Sequence, residues 1–160
     1  MDAIALLLKL LHVALALALT AGVVGRWIVL HRAAESRELS QTVSLLETSA
    51  PFERMTIISS MLILPAGLLT AWAQGYEWLG LTTGWMLAST VIYLAILALV
   101  PTVFLPAGRR FEAALAVARE AGSVTHDLSA AFAEPRVSAA HWTEMVGFGV
   151  IVALMVLKPF

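Results

Sequence analysis

The chain has no cysteine among its 160 residues. That absence removes disulfide frameworks, thiol catalysis, thiolate metal sites and covalent haem attachment through C-x-x-C-H. Charge is scarce as well: Asp, Glu, Lys and Arg make up 13% of the sequence, roughly half the share usual in soluble domains. The net charge of −1 provides neither a basic footprint for nucleic acid nor an acidic tail.

Apolar residues fill the space left by charge. The chain is 60% hydrophobic, with a mean hydropathy of +0.87. Four stretches, about 3–30, 55–73, 85–104 and 139–158, come close to or exceed the roughly 20 apolar residues that cross a bilayer. The first reads as a span rather than a cleaved leader. Asp2 stands where a leader carries a basic residue, the apolar run is too long, and no soluble domain is expected after it. These features predict an all-α fold: a polytopic membrane four-helix bundle forming one integral-membrane domain over 1–160.

Basic residues set the expected orientation. Arg26, Arg32, Arg37 and Arg54 flank the first connection, and Arg109, Arg110, Arg119 and Arg136 follow the third span, whereas the link 74–84 has none. Short loops rich in Lys and Arg stay in the cytoplasm, so eight of the ten basic residues are expected inside and both termini periplasmic or extracellular. Trp27 and Trp142 then mark inner borders, and Trp72, Trp78 and Trp85 outer ones, as interfacial belts. The two long connections carry apolar residues at helical spacing: Leu39, Val43 and Leu46 in 31–50, and Phe111, Ala114, Leu115 and Ala118 in 109–133. Both are expected to be amphipathic helices or helical extensions near the cytoplasmic surface.

The halves echo one another. Gly25-Arg26 ends the first span and Gly108-Arg109 the third, while Pro51 precedes the second and Pro135 the fourth. A duplicated hairpin and two unrelated hairpins both fit that pattern. In the first span Ala14, Ala18, Ala21, Gly22 and Gly25 form a small-residue face that lets helices approach closely in lipid. Pro65 interrupts the second span, and neighbouring helices or Ser60 are expected to satisfy the freed Met61 carbonyl.

Polar residues inside the spans are the candidate functional groups. His12 lies within about 3 Å of the midplane if the first span is centred near Ala14, and Arg26 about 18 Å inward of the centre. An arginine at that depth can snorkel to the headgroups; His12 cannot. It must be satisfied by neighbours, with Ser59, Ser60, Ser89 or Thr90 as candidates, or by a metal through its imidazole nitrogen. A second cluster gathers at the inner border: Arg26, Glu53, Arg54, His141 and Glu144. A carboxylate there needs a cation, so Glu144 is expected to pair with Arg26 or Arg54, as a structural clamp or as part of an anion or proton site. His141-x-x-Glu144 lacks the second histidine of a zinc helix. For haem b, depth separates His12 from His141 by about 16 Å, while Met155 falls within about 5 Å of His12's depth. His12 alone, or His12 with Met155, is therefore the cofactor-binding set the sequence allows.

With "KLLHV" in the first span, "GR" at its inner end, "FERM" before the second and "MVLKP" closing the fourth, the chain resembles a bacterial four-helix integral-membrane family of unknown function, domain-of-unknown-function family 2269. More distantly, "LLKLLHVALALALTAGVVGRWIVLHR" followed by "FERMTIISSMLILPAGLL" is similar to the opening hairpin of the membrane protoporphyrinogen oxidases, and to the general pattern of copper-resistance membrane domains. The oxidase resemblance implies haem binding at the His12 position. A lysine of that family is absent here, with Ala88 and Ser89 of "WMLAST" in its place. For copper, little stands at the outer face beyond Met86.

Three functions follow as alternatives. The chain is an uncharacterised bacterial inner-membrane protein acting as a packed accessory or scaffold bundle; or a b-type haem redox protein using His12; or a small proton or solute transporter. Its expected partners are the lipid bilayer and, as an open alternative, copies of itself or a membrane complex. No catalytic residue is assigned.

Overall fold

A computed structural model describes residues 3–159. Asp2 and the extreme ends of the domain expected over 1–160 lie outside the described residues. Among the described residues every regular element is a helix: α1 (Ala3–Glu35), α2 (Leu39–Ala73), a 3-10 turn (Glu77–Gly80), α3 (Gly84–Leu99), a π-helical segment (Val100–Phe104), α4 (Leu105–Ala121), α5 (His126–Phe132) and α6 (Pro135–Leu157). Four helical stretches are long and apolar enough to cross a membrane.

The first connection is tighter than expected. Helix α1 runs on to Glu35 and α2 starts at Leu39, so only Ser36, Arg37 and Glu38 turn the chain. Ser36 Oγ donates to the Glu38 carbonyl at 3.1 Å and also contacts Gln41 Oε1 at 3.1 Å. At 1.5 Å per residue each helix is about 50 Å long, against a hydrocarbon core of about 30 Å. The amphipathic segment is thus the two ends of the spanning helices, carried beyond the bilayer. Pro51 lies inside α2 rather than ahead of it.

Residues withdrawn from the surface explain how the helices pair. Along α1 they include Ala5, Leu8, His12, Leu15, Leu19, Gly22, Arg26, Val29 and Ala33, alternating three and four apart. Helix α2 repeats the rhythm through Thr42, Leu45, Ser49, Phe52, Thr56, Ser59, Ile63, Ala66, Thr70 and Ala73. A 3–4 alternation keeps one seam facing its partner over many turns, as in a coiled coil. The register is antiparallel: Gly25 and Gly22 lie against Phe52 and Thr56, and Gly67 against His12. A Cβ on Gly22 would stand 2.5 Å from Thr56 Oγ1 and 3.0 Å from the Phe52 carbonyl oxygen, so this contact requires glycine. Of the expected small-residue face, Gly22 and Gly25 belong to the seam while Ala14 and Ala21 face outward.

The bundle departs from the pattern of a soluble protein. Large residues such as Leu6, Leu7, Leu10 and Leu17 are exposed, while small and hydroxylated ones line much of the α2 side of the seam. Lipid is as apolar as leucine, so association depends on close packing rather than on hiding hydrocarbon. The seam hydroxyls are satisfied locally: Thr42 donates to Glu38, Ser49 to Leu46, Thr56 to Phe52 and Thr70 to Ala66, each through the backbone carbonyl.

Helix α3 pairs in turn with α6, where Gly147 receives the Ile96 side chain. The hairpins meet through Leu19, Val23 and Tyr93, with Met145, Phe148 and Ile151 packed around them. At the end away from the arginines, Ala71, Trp85 and Met86 form a second core with Tyr76, Leu154 and Met155. Trp85 is therefore buried rather than part of an interfacial belt, while Trp72 and Trp78 remain exposed. At the basic end α4 closes with Gly122 in the left-handed region (φ 66°). There α5 folds back, capped by Thr125 and held by Phe111 against Phe132 and Arg110 against Glu134.

Candidate functional site

The first polar site lies beside Pro65 of α2, although neither of its acceptors is the Met61 carbonyl that Pro65 frees. A proline inside a helix removes one backbone donor and crowds the carbonyl four residues earlier. Two side chains from other helices approach the α2 backbone around it. His12 Nδ1–H donates to the Ile63 carbonyl at 3.1 Å, and the Tyr93 hydroxyl donates to the Ser60 carbonyl. Because the acceptor is a carbonyl, Nδ1 must carry the proton, which leaves Nε2 bare. The four hydroxyl candidates do not bind His12. Ser60 Oγ turns instead to Ile57 in its own helix, so it does not serve the Met61 carbonyl. Gly67 makes room for the ring: a Cβ there would lie 2.8 Å from Cε1 of His12.

The second site lies at the basic end, where α1, α6 and the π-helical segment converge. Pro101 lies in the first turn of that segment and Pro106 just beyond its end, and the Leu105 N–H donates to the Val100 carbonyl five residues back. The wider turn brings Phe104 between two helices. Its ring lies 4.9 Å from that of His141 and 5.6 Å from the Arg26 guanidinium carbon. Glu144 Oε2 is 3.4 Å from His141 Nδ1 and 3.9 Å from Arg26 Nη2. One carboxylate oxygen thus faces two nitrogen bases. The Glu144 side chain is 9% exposed and that of Arg26 18%. Arg26 Nε is buried and has no hydrogen-bond partner among the described residues, although a guanidinium offers five donors. Beside the cluster Trp27 packs edge-on against Trp142 and stacks on His31.

The remaining sequence candidates lie apart from both sites. Glu53 and Arg54 are exposed on α2 and form no ion pair with Glu144 among the described residues. Met155 packs against the core of Ala71, Trp85 and Met86. Phe104 and Tyr93 carried no polar signal in the sequence. Only the prolines flanking one and the proline opposite the other hinted at their roles.

These facts bear on haem. A bare Nε2 opposite an anchored Nδ1–H is the tautomer an axial ligand needs. The ring edge fills the notch at Gly67, and Met155 packs against the Trp85 core. Two open hollows, about 630 and 510 Å³, lie at the α1–α2 turn beside Arg37 and Glu38. The imidazole suits the group, with its ring edge seated against Gly67. Among the described residues no three His, Asp or Glu side chains gather as a metal site.

A family model described as "Predicted integral membrane protein (DUF2269)" matches residues 6–159, and the chain belongs to that family. No curated protein and no solved structure matches it, so the fainter likenesses to porphyrinogen oxidases and copper-resistance domains gain no support. The protein is an integral membrane protein of four candidate spans.

Proposed function

We propose that this member of the family is an accessory or scaffold bundle of the bacterial inner membrane, with its basic end cytoplasmic and both termini on the far side. The observation that carries this reading is that His12, Tyr93, Glu144 and four of the seam hydroxyls each meet a protein partner. His12 and Tyr93 serve the backbone of α2, the hydroxyls of Thr42, Ser49, Thr56 and Thr70 serve carbonyls of their own segment, and Glu144 is held between Arg26 and His141. A transport path needs polar groups left open to water along the bundle. Positive-inside bias in the two arginine-rich connections supports the orientation.

The test is reconstitution into vesicles that hold a pH-sensitive dye. Proton entry should match that of empty vesicles, and reporter fusions at Gln74 and at the C terminus should both read the outer compartment. A saturable flux removed by His12→Ala would replace the scaffold with a transporter.

The tautomer of His12 favours a second reading, a b-type haem protein. Haem, when bound, would supply one-electron redox chemistry, and His12 Nε2 would hold its iron. Purified protein with a Soret band lost in His12→Ala would establish it. Colourless protein after haem supplementation would dismiss it.

A further inference from the structure

We infer that Arg26, Glu144 and His141 form a proton-operated latch between the two helical hairpins. The inference rests on the scaffold reading and adds regulation to it. Glu144 presents a single oxygen to both partners, at 3.4 Å from His141 and 3.9 Å from Arg26. With His141 neutral, Nδ1–H donates to that oxygen and Arg26 supplies the positive charge. The tie then runs from α1 to α6, across the hairpin boundary.

A proton taken up at His141 Nε2 changes the balance. Histidine is the side chain that ordinarily changes charge between about pH 5 and 8. The imidazolium lies three residues from Glu144 on the same helix and already touches it, so it takes the carboxylate at little conformational cost. Arg26 is left facing a second cation instead of an available anion. Its Nε already lacks an acceptor, so nothing else in the cluster compensates it. Phe104 touches both bases and offers one ring face to two cations. Among the described residues, the charged groups paired in this cluster are Glu144 from the helix of His141 and Arg26 from α1. The π-helical segment contributes only Phe104, and Glu53 and Arg54 of α2 are exposed. The latch therefore loosens when protonated, and the basic ends of α1 and α6 separate.

A chain without cysteine permits clean labelling. Ile28→Cys on α1 and Val146→Cys on α6, both at exposed positions, carry spin labels in lipid nanodiscs, and the distance between them is measured at pH 8 and pH 5. The mean distance should lengthen at pH 5 and return at pH 8. His141→Gln should hold the pH 8 distance at both values. Arg26→Gln should show the longer distance at both. His31, stacked on Trp27 nearby, is controlled by His31→Gln, which should keep the full response. An unchanged distance between pH 8 and 5 overturns the latch, as does a response that survives His141→Gln or is lost in His31→Gln. If His141→Gln fails to assemble, Arg26→Gln alone decides: a further shift with pH in that variant contradicts the competition. A failed latch leaves the vesicle flux result untouched, and a flux that overturns the scaffold leaves the distances readable.

Discussion

The two hairpins solve the same packing problem in different ways. In α1–α2 a three-residue turn joins helices that keep one seam throughout, closed by Gly22, Gly25 and Gly67 and lined with hydroxyls. In α3–α6 the connection is long, a π-helical segment breaks the register, and Ile96 fills the notch of Gly147. The repeated dipeptide shows the contrast best. Gly25 is pressed on Phe52 and Arg26 is drawn into the cluster, whereas Gly108 meets nothing within 4 Å and Arg109 is exposed. The same letters at corresponding places serve packing in one half and an open helix in the other. Equivalence in sequence is not equivalence in the fold here.

The sharpest way to break that contrast is to remove Glu144, the carboxylate that the first hairpin borrows from the second. Glu144→Ala should cost about 3 kcal/mol, because an arginine largely withdrawn from solvent loses its counter-ion. Unfolding in mixed detergent measures the loss, and Glu53→Ala, at an exposed carboxylate, should stay within about 0.5 kcal/mol. Next comes the seam itself. Gly22→Val should destabilise by about 1–3 kcal/mol through overpacking against the α2 backbone, while Gly108→Val should cost about 1 kcal/mol or less, since nothing faces it. Equal losses at the two glycines would erase the asymmetry between the halves.

His12→Ala is expected to have a smaller effect, about 1 kcal/mol. It removes one hydrogen bond, and the Ile63 carbonyl keeps its place in the α2 ladder. Thermal unfolding monitored by helical circular dichroism would register it. The smallest effect belongs to Arg110→Ala, whose exposed pair with Glu134 should contribute about 0.2–1 kcal/mol and less in high salt.

Much of the fold was legible because hydropathy and arginine placement are strong, long-range signals. Four spans, helical connections and the pairing of neighbouring helices could be expected from run lengths and small residues. The extent of α1 and α2 was less visible. Polar residues after Leu30 look like an ending, yet a seam repeating every seven residues carries both helices past the membrane. The site was legible only in part. Depth placed Glu144 beside Arg26, since both sit at one border. Which arginine serves it depends on helix rotation, and Arg54 faces outward. His12 was expected to find a hydroxyl, but Ser60 and Ser89 bond to their own helices, and a carbonyl near Pro65 was the acceptor within reach. Phe104 is brought to the cluster by a widened turn that no hydropathy pattern encodes. Trp85 was misplaced because an aromatic at a span border can as well turn inward, here into the core it shares with Ala71 and Met86.

The central claim is that Arg26 and Glu144 couple the two hairpins, and a double-mutant cycle tests it most directly. Arg26→Ala, Glu144→Ala and the double variant are unfolded under identical conditions in lipid-detergent mixtures. The account predicts that the double variant is more stable than the sum of the single losses implies, by about 1 kcal/mol or more. Strict additivity, with a coupling energy near zero, would contradict it.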